Sequence, residues 1–292
     1  MRTKMICSLL FYCIIASNVE INAQLKGDAY QNAKAKGTAT LVYTYVNSAG
    51  FSYQGKNGEV EGICVDIMKA FAKYIESKEN IKVTLQYKKL PDHDNFPNYL
   101  KEIKNGQGGV FGLGNITITD ERKKIYNFSP PYISNITILI SHSSVPSLTN
   151  IEDISTTFKG MTAYAESGTT NELQIKGIKE NYFPDLKIQY VNSSVELVDK
   201  IVEDRKSFTN IDFTYYLAML KQRRPVKRHQ VGDQWAEEFG IIMPKSNDWG
   251  PLMEEFFDSG FIGGMEYRKI ISRHLGENAL KMLDMLKKKS KS

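Results

Sequence analysis

The chain has 292 residues, of which 24% are charged and 41% are hydrophobic. This length allows one large domain or two modest ones, and the composition is ordinary for a globular protein. The formal net charge of +5 is mild, and no stripe of alternating basic and aromatic residues accompanies it. These features argue against a nucleic-acid-binding protein.

The first residues have the pattern of a secretory signal. Arg2 and Lys4 precede an apolar run at 5–16, and a polar stretch then ends at Ala23. This order predicts a signal peptide over residues 1–23, with cleavage after Ala23. The run is too short to span a bilayer well, and no later stretch is longer. We therefore expect a soluble protein of the periplasm.

The cysteines agree with that expectation. Cys7 and Cys13 fall inside the predicted signal, which leaves Cys64 unable to form an internal disulfide. Tyr12 is too bulky for the position before a lipid-bearing cysteine, so a lipid anchor at Cys13 is the less favoured outcome. Cys64 lies on the apolar face of a predicted helix, where a small core residue is the simplest interpretation.

The first half of the chain alternates strands and helices. The predicted elements are a strand at 40–46, a helix at 65–75, a strand at 81–87, a helix at 96–104 and a strand at 110–116. This order predicts an α/β domain with a largely parallel sheet. Ligands of such sheets bind at the carboxyl ends of strands. The loops after Val46 and Asn115 are therefore expected to line one cleft.

The second half restarts the alternation. The predicted strands are 136–141, 161–165, 187–191, a short strand ending at 210–211, and 238–243; the predicted helices are 169–180, 195–202, 215–221, 251–256, 265–275 and 279–287. Two such sets predict two lobes, with crossings near 136–141 and 240–243 acting as a hinge. Lobe 1 would comprise 24–137 and 240–292, and lobe 2 would comprise 138–239.

The most informative motif is the run 115–132, NITITDERKKIYNFSPPY. Thr119, followed by two acidic residues, reads as the N-cap of a helix. Arg122 lies one turn along, close to where Thr117 would end the preceding strand. A hydroxyl, free N–H groups and a guanidinium then converge, which suits a carboxylate. On the local pattern alone, the favoured interpretation is that Arg122 is a solvated surface charge and Thr117 an ordinary strand threonine.

This run resembles the lobe-one signature of type II periplasmic solute-binding proteins, extracellular family 3, which capture amino acids for ABC transporters. The segment 62–75 resembles the first helix of the family and departs from it at Cys64, where an acidic residue is usual. The resemblance implies a two-lobed α/β fold. It also implies that Thr117 and Arg122, with Asn115 beside them, bind the ligand's α-carboxylate.

A second segment of interest follows the first predicted strand of lobe 2. Thr169 and Glu172 form a capping box, which predicts that a helix begins here. Free N–H groups at a helix start bind anions. The resemblance implies that Thr169 and Thr170 reach the same ligand carboxylate, although a helix cap needs no ligand.

Three further residues enter through the resemblance. Asp212 matches the aspartate that accepts the ligand's α-ammonium, and its alternative role is a helix N-cap. Phe51 and Tyr53 occupy the loop where the family places aromatic rings over the ligand's side chain. Packing of one or both rings into the local core is an equally good interpretation.

Together these residues predict a periplasmic protein that binds an amino-acid-like zwitterion between two lobes. A membrane permease or receptor would recognise the closed form. We expect a monomer without a cofactor, metal or nucleic-acid partner, and not an enzyme. Two alternatives remain. One is an exported cyclohexadienyl (arogenate or prephenate) dehydratase, with Glu166 as the cleft acid; otherwise Glu166 tunes side-chain selectivity or faces solvent. The other is a ligand-sensing module of a membrane receptor.

Overall fold

A computed structural model describes residues 24–91 and 95–289 of the chain and gives the bounds of its strands and helices. The predicted signal peptide lies outside the described residues. The strands are β1 (Thr38–Tyr45), β2 (Tyr53–Gln54), β3 (Val60–Glu61), β4 (Lys82–Tyr87), β5 (Val110–Leu113), β6 (Tyr126–Phe128), β7 (Ile133–His142), β8 (Thr162–Glu166), β9 (Lys187–Val191), β10 (Ser207–Asp212), β11 (Val226–Arg228), β12 (Gln234–Phe239) and β13 (Ile242–Pro244).

The helices alternate with these strands. They are α1 (Tyr30–Lys36), α2 (Ile63–Glu79), α3 (Phe96–Asn105), α4 (Asp120–Ile125), α5 (Ile154–Thr157), α6 (Thr170–Asn181), α7 (Ser194–Glu203), α8 (Phe213–Lys221), α9 (Gly250–Phe256), α10 (Met265–Leu275) and α11 (Glu277–Lys289), with 3₁₀ turns at Ile151–Asp153 and Gln230–Gly232 and a π turn at Phe257–Phe261. In the described part of the chain, no helix combines the length and apolarity needed to cross a membrane.

Within residues 24–91 and 95–289, the strands form two mixed sheets and a separate antiparallel pair, β2 with β3. The first has the order β4-β1-β5-β13-β6, in which β1 runs parallel to β4 and β5. The second has the order β11-β7-β10-β8-β9, with β12 also paired to β7, and β8 runs parallel to β9 and β10. We call the first sheet with its helices lobe 1 and the second sheet with its helices lobe 2.

The chain passes between the two sheets twice. It leaves the first sheet after β6 and enters the second at β7, and it returns between β12 and β13. Because β12 pairs with β7 at both of its ends, with one bulge between Trp235 and Glu237, the two passages lie side by side. Adjacent passages of this kind are where hinge motion between lobes takes place. The lobe boundaries given above stay a prediction, which this strand membership supports.

The single strand predicted at 238–243 is wrong, because the chain changes sheet within it. β12 ends at Phe239 and β13 begins at Ile242. Between them, the N–H of Gly240 donates to the carbonyl of Ile116 at 3.0 Å. A side chain at Gly240 would approach the Ile118 side chain to 2.9 Å. An unbroken apolar run does not reveal such a change of sheet.

Helix α2 forms much of the core of lobe 1. Its apolar residues bury one broad face, including Met68, Phe71 and Ile75, each 0% exposed. The helix ends at Asn80, which adopts the left-handed conformation with φ 54°. Cys64 is also fully buried in this core, and its Sγ lies 3.3 Å from the Tyr132 hydroxyl. Burial raises the pKa of the Cys64 thiol to about 11.

Candidate functional site

A small cavity of about 60 Å³ lies between the lobes. Its lining residues follow the carboxyl ends of strands in both sheets: Val46 after β1, Asn115 after β5, Glu166 at the end of β8 and Asp212 at the end of β10. This is where open α/β sheets bind ligands. The loops after Val46 and Asn115 do line one cleft, as the alternation of elements predicted.

The guanidinium of Arg122 lines this cavity from lobe 1. The Oγ1 of Thr119 accepts from the Arg122 backbone N–H at 3.1 Å, which caps α4 and fixes the base of the side chain. Arg122 Nη1 donates to the carbonyl of Thr117 at 2.8 Å, and Nη2 donates across the cleft to the carbonyl of Gly168 at 3.4 Å. The Phe96 ring centroid lies 5.0 Å from the guanidinium carbon, a cation–π distance.

The charge of Arg122 has no counterion in the described part of the chain. Within residues 24–91 and 95–289, no carboxylate lies within ion-pairing distance of it. Burial lowers the pKa of Arg122, although guanidinium groups stay protonated in proteins. The Arg122 side chain is therefore half-buried in the cavity wall rather than extended into open solvent. A desolvated, unpaired cation facing a cavity favours an anionic occupant.

Threonines from both lobes meet beside this guanidinium. The Oγ1 atoms of Thr117 and Thr170 lie 3.3 Å apart across the cleft. Thr169 caps α6, and the Glu172 carboxylate accepts from the Gly168 N–H at 2.8 Å. The Thr169 half of the predicted capping box is therefore present, whereas Glu172 bonds to the N–H one residue before the cap instead of to that of Thr169. All three threonines line the cavity.

Asp212 lines the cavity from lobe 2. It precedes α8 but makes no side-chain cap, so the N-cap alternative does not describe it. Its carboxylate instead accepts from the side-chain amides of Asn115, across the cleft, and Asn135, at 2.8 Å. Burial and the nearby Glu237 carboxylate together raise the pKa of Asp212 to about 7, against the lowering effect of these two hydrogen bonds.

Glu166 does not face solvent. Its side chain is buried, with the residue only 6% exposed, and it lines the cavity near Asp212. The carboxyl group accepts a hydrogen bond from the Ser194 hydroxyl. Burial raises the pKa of Glu166 to about 7.

The two aromatic rings predicted over the ligand lie elsewhere. Phe51 is fully buried in the core of lobe 1, where its ring centroid is 5.6 Å from Phe239. Tyr53 lies on β2, with its hydroxyl 3.4 Å from Nδ1 of His274. Neither lines the cavity. The loop is tied to the start of α2: the Cys64 N–H donates to the Phe51 carbonyl at 3.0 Å, and a side chain at Gly62 (φ 130°) would clash with that carbonyl.

Several residues that line or approach the cavity were not identified from the sequence, among them Phe96, Tyr215 and Glu237. Phe96 supplies the aromatic wall of lobe 1. Tyr215 places a buried hydroxyl beside those of Ser48 and Ser194, without hydrogen-bond geometry to any described residue. Glu237 lies on the hinge strand β12. Phe96 begins a predicted helix and Tyr215 lies three residues after Asp212, so a local sequence pattern pointed to their positions. No such pattern pointed to Glu237.

Fold and site together define a class: a two-lobed binding protein with its ligand cleft between the lobes. The model described as bacterial extracellular solute-binding proteins, family 3, matches residues 41–276. The chain belongs to this family. The resemblance and the fold class predicted from the sequence are confirmed.

Individual relatives are similar to this chain at low sequence identity. The chain is 27% identical over 160 residues to the L-cystine-binding protein TcyJ of Escherichia coli (strain K12), covering 53% of this chain and 54% of that protein. The match therefore spans about half the length of that relative. The chain is also 24% identical over 258 residues to a probable histidine-binding protein of Neisseria gonorrhoeae, covering 86% of this chain and 88% of that protein.

A solved structure shows the same fold. An ancestral arginine-binding protein bound to arginine superposes with a TM-score of 0.65 at 22% identity, covering 81% of this chain and 98% of that one. At this identity the likeness concerns the fold alone.

Proposed function

We propose that this protein binds an amino acid between its lobes in the periplasm and delivers it to a membrane ABC permease. One observation carries the proposal: Arg122 and Asp212, which have no ion-pair partner among residues 24–91 and 95–289, line one cavity from opposite lobes. Relatives named for binding cystine and histidine support it.

The two charges match the two ends of an amino acid. The ligand's α-carboxylate pairs with the Arg122 fork and the hydroxyls of Thr117 and Thr170, with Thr169 beside them. Its α-ammonium pairs with Asp212, next to Asn115. Each buried charge-assisted hydrogen bond contributes about 1.5–3 kcal/mol. The low dielectric between closed lobes strengthens these attractions.

The ligand adds to contacts that already join the lobes. Arg122 bonds to Gly168, Asn115 to Asp212, and Thr117 approaches Thr170. A ligand that binds both walls favours the closed arrangement over the open one. The signal predicted at residues 1–23 exports the chain, and the monomer presents its closed form to the permease.

A thermal-shift screen of the purified protein against the common amino acids tests this function. A ligand at 100 times its Kd stabilises the folded state by about 2.7 kcal/mol, which raises Tm by roughly 5–10 °C. Matched controls lack one charge: an aliphatic amine without the carboxylate, and a fatty acid without the amine. The proposal fails if no amino acid shifts Tm, or if the singly charged compounds shift it equally.

The Phe96 ring is expected to support the Arg122 guanidinium. Phe96→Leu keeps an apolar side chain but removes the π face 5.0 Å from the guanidinium carbon. We expect amino-acid affinity to fall about 10-fold, since such contacts contribute about 0.5–2 kcal/mol. Phe96→Tyr keeps the ring and should bind within about 3-fold of the wild type. Titration calorimetry measures both; equal affinity of Phe96→Leu and wild type would contradict the role.

A further inference from the structure

Glu166 is the cavity carboxyl group that the proposed zwitterion leaves unmatched. The ligand's carboxylate takes Arg122 and its ammonium takes Asp212. Glu237, just behind the lining, receives hydrogen bonds from the side chains of Asn135, Thr137 and Gln174. Among the described residues, Glu166 has the Ser194 hydroxyl as its side-chain hydrogen-bond donor and no cation within ion-pairing distance.

The position of Glu166 is fixed by its backbone. Its N–H donates to Oδ1 of Asn171 at 2.8 Å, and its carbonyl accepts from the Thr169 hydroxyl at 2.7 Å. These bonds tie the end of β8 to the first turn of α6. The carboxyl group is therefore held in the cavity wall rather than free to swing into solvent. A buried, positioned carboxyl without a cation is costly unless something else pairs with it.

The surroundings of Glu166 fit the end of a ligand side chain. Leu197 lines the same cavity and offers an apolar surface. Tyr215 lies near Glu166 and has a buried hydroxyl without hydrogen-bond geometry to any described residue. An aliphatic stem against Leu197 and a charged head between Glu166 and Tyr215 would satisfy these groups together.

We propose that the amino acid bound here is a diamino acid, whose side-chain ammonium pairs with Glu166. This rests on the proposed function and names its substrate class. The occupant would then carry two positive groups and one negative group, matching Asp212, Glu166 and Arg122 one to one. Burial holds Glu166 partly protonated near neutral pH, and an adjacent ammonium favours its ionised form.

Titration calorimetry at pH 8 compares ligands that differ in the second ammonium alone. Ornithine and lysine are paired with norvaline and norleucine, which have the same carbon chains without it. We expect each diamino acid to bind at least 30-fold more tightly than its partner. Glu166→Gln keeps the shape and removes the charge, so it should weaken diamino-acid binding at least 10-fold and change norvaline binding less than 3-fold.

The controls separate the two proposals. Glu238→Gln removes an exposed carboxylate of β12 and should change neither set of affinities. If neutral amino acids bind as tightly as diamino acids, or if Glu166→Gln leaves their ratio unchanged, the diamino-acid assignment is overturned and the amino-acid function stands. If none of the four ligands, nor any other amino acid, binds the wild type, the function itself fails.

Discussion

Replacing Arg122 by alanine is expected to abolish measurable amino-acid binding. The substitution removes the cation that faces the cavity and the fork that matches a carboxylate. Losing two buried charge-assisted hydrogen bonds costs about 3–6 kcal/mol, or roughly 10²- to 10⁴-fold in Kd. Arg122→Lys keeps the charge but lacks the planar guanidinium that binds both carboxylate oxygens. Its affinity should lie between those of the wild type and Arg122→Ala. Titration calorimetry with the best ligand of the screen measures all three.

The same substitution should leave the unliganded protein folded. Arg122 is half-buried and has no counterion among the described residues, so its removal costs mainly the two hydrogen bonds to the carbonyls of Thr117 and Gly168. We expect Tm of the unliganded variant within about 4 °C of the wild type. Arg268→Ala, which breaks an exposed ion pair with Asp284, is the matched control and should bind normally. Full affinity of Arg122→Ala would refute the carboxylate role.

Replacing Asp212 by asparagine should separate binding from stability. The variant keeps the size of the side chain but loses the charge that pairs with the ligand's α-ammonium. We expect affinity to fall roughly 100-fold or more. The control Asp199→Asn removes an exposed carboxylate paired with Arg224 and should bind as the wild type does.

The stability effect follows from the direction of the pKa shift. The pKa of Asp212 is about 7 in the folded protein, against about 3.9 for an unfolded aspartate. Folding therefore disfavours the ionised form: the penalty is absent below about pH 4, grows as pH rises, and is complete above about pH 7. Asparagine does not ionise, so the variant has no such penalty at any pH.

Melting curves of the unliganded proteins at pH 5 and pH 8 test this. At pH 8 we expect Asp212→Asn to melt roughly 5 °C above the wild type, less than the whole penalty would give, because asparagine keeps only one of the two oxygens that accept from Asn115 and Asn135. At pH 5 the two Tm values should lie closer together. A variant that melts below the wild type at pH 8 would show that Asp212 stabilises the fold as an ion, contrary to its raised pKa.

Much of the fold could be predicted because its strands and helices have strong periodicity. The strand at 187–191 and the helix at 265–275 have the predicted bounds. The failures are elements whose identity depends on distant partners. β6 is three residues long and exists because β13 pairs with it. The change of sheet after Phe239 is likewise a tertiary event inside an apolar run.

The site divides in the same way. Residues beside a local motif, such as Arg122 after the Thr119 cap, could be placed from the sequence. Phe51 could not, because a core aromatic and a ligand-facing aromatic look alike in one chain. Glu237 reaches the cavity network from a hinge strand with a bulge between Trp235 and Glu237, and no sequence pattern specified which way it would point.

The buried thiol of Cys64 has a practical consequence for watching the lobes move. It is fully enclosed and its pKa is about 11, so thiol-directed dyes will not label it in the folded state. One cysteine added to the surface of each lobe would then provide the two sites in the described chain at which the dyes attach. Energy transfer between two such dyes would follow opening and closing in real time, one molecule at a time.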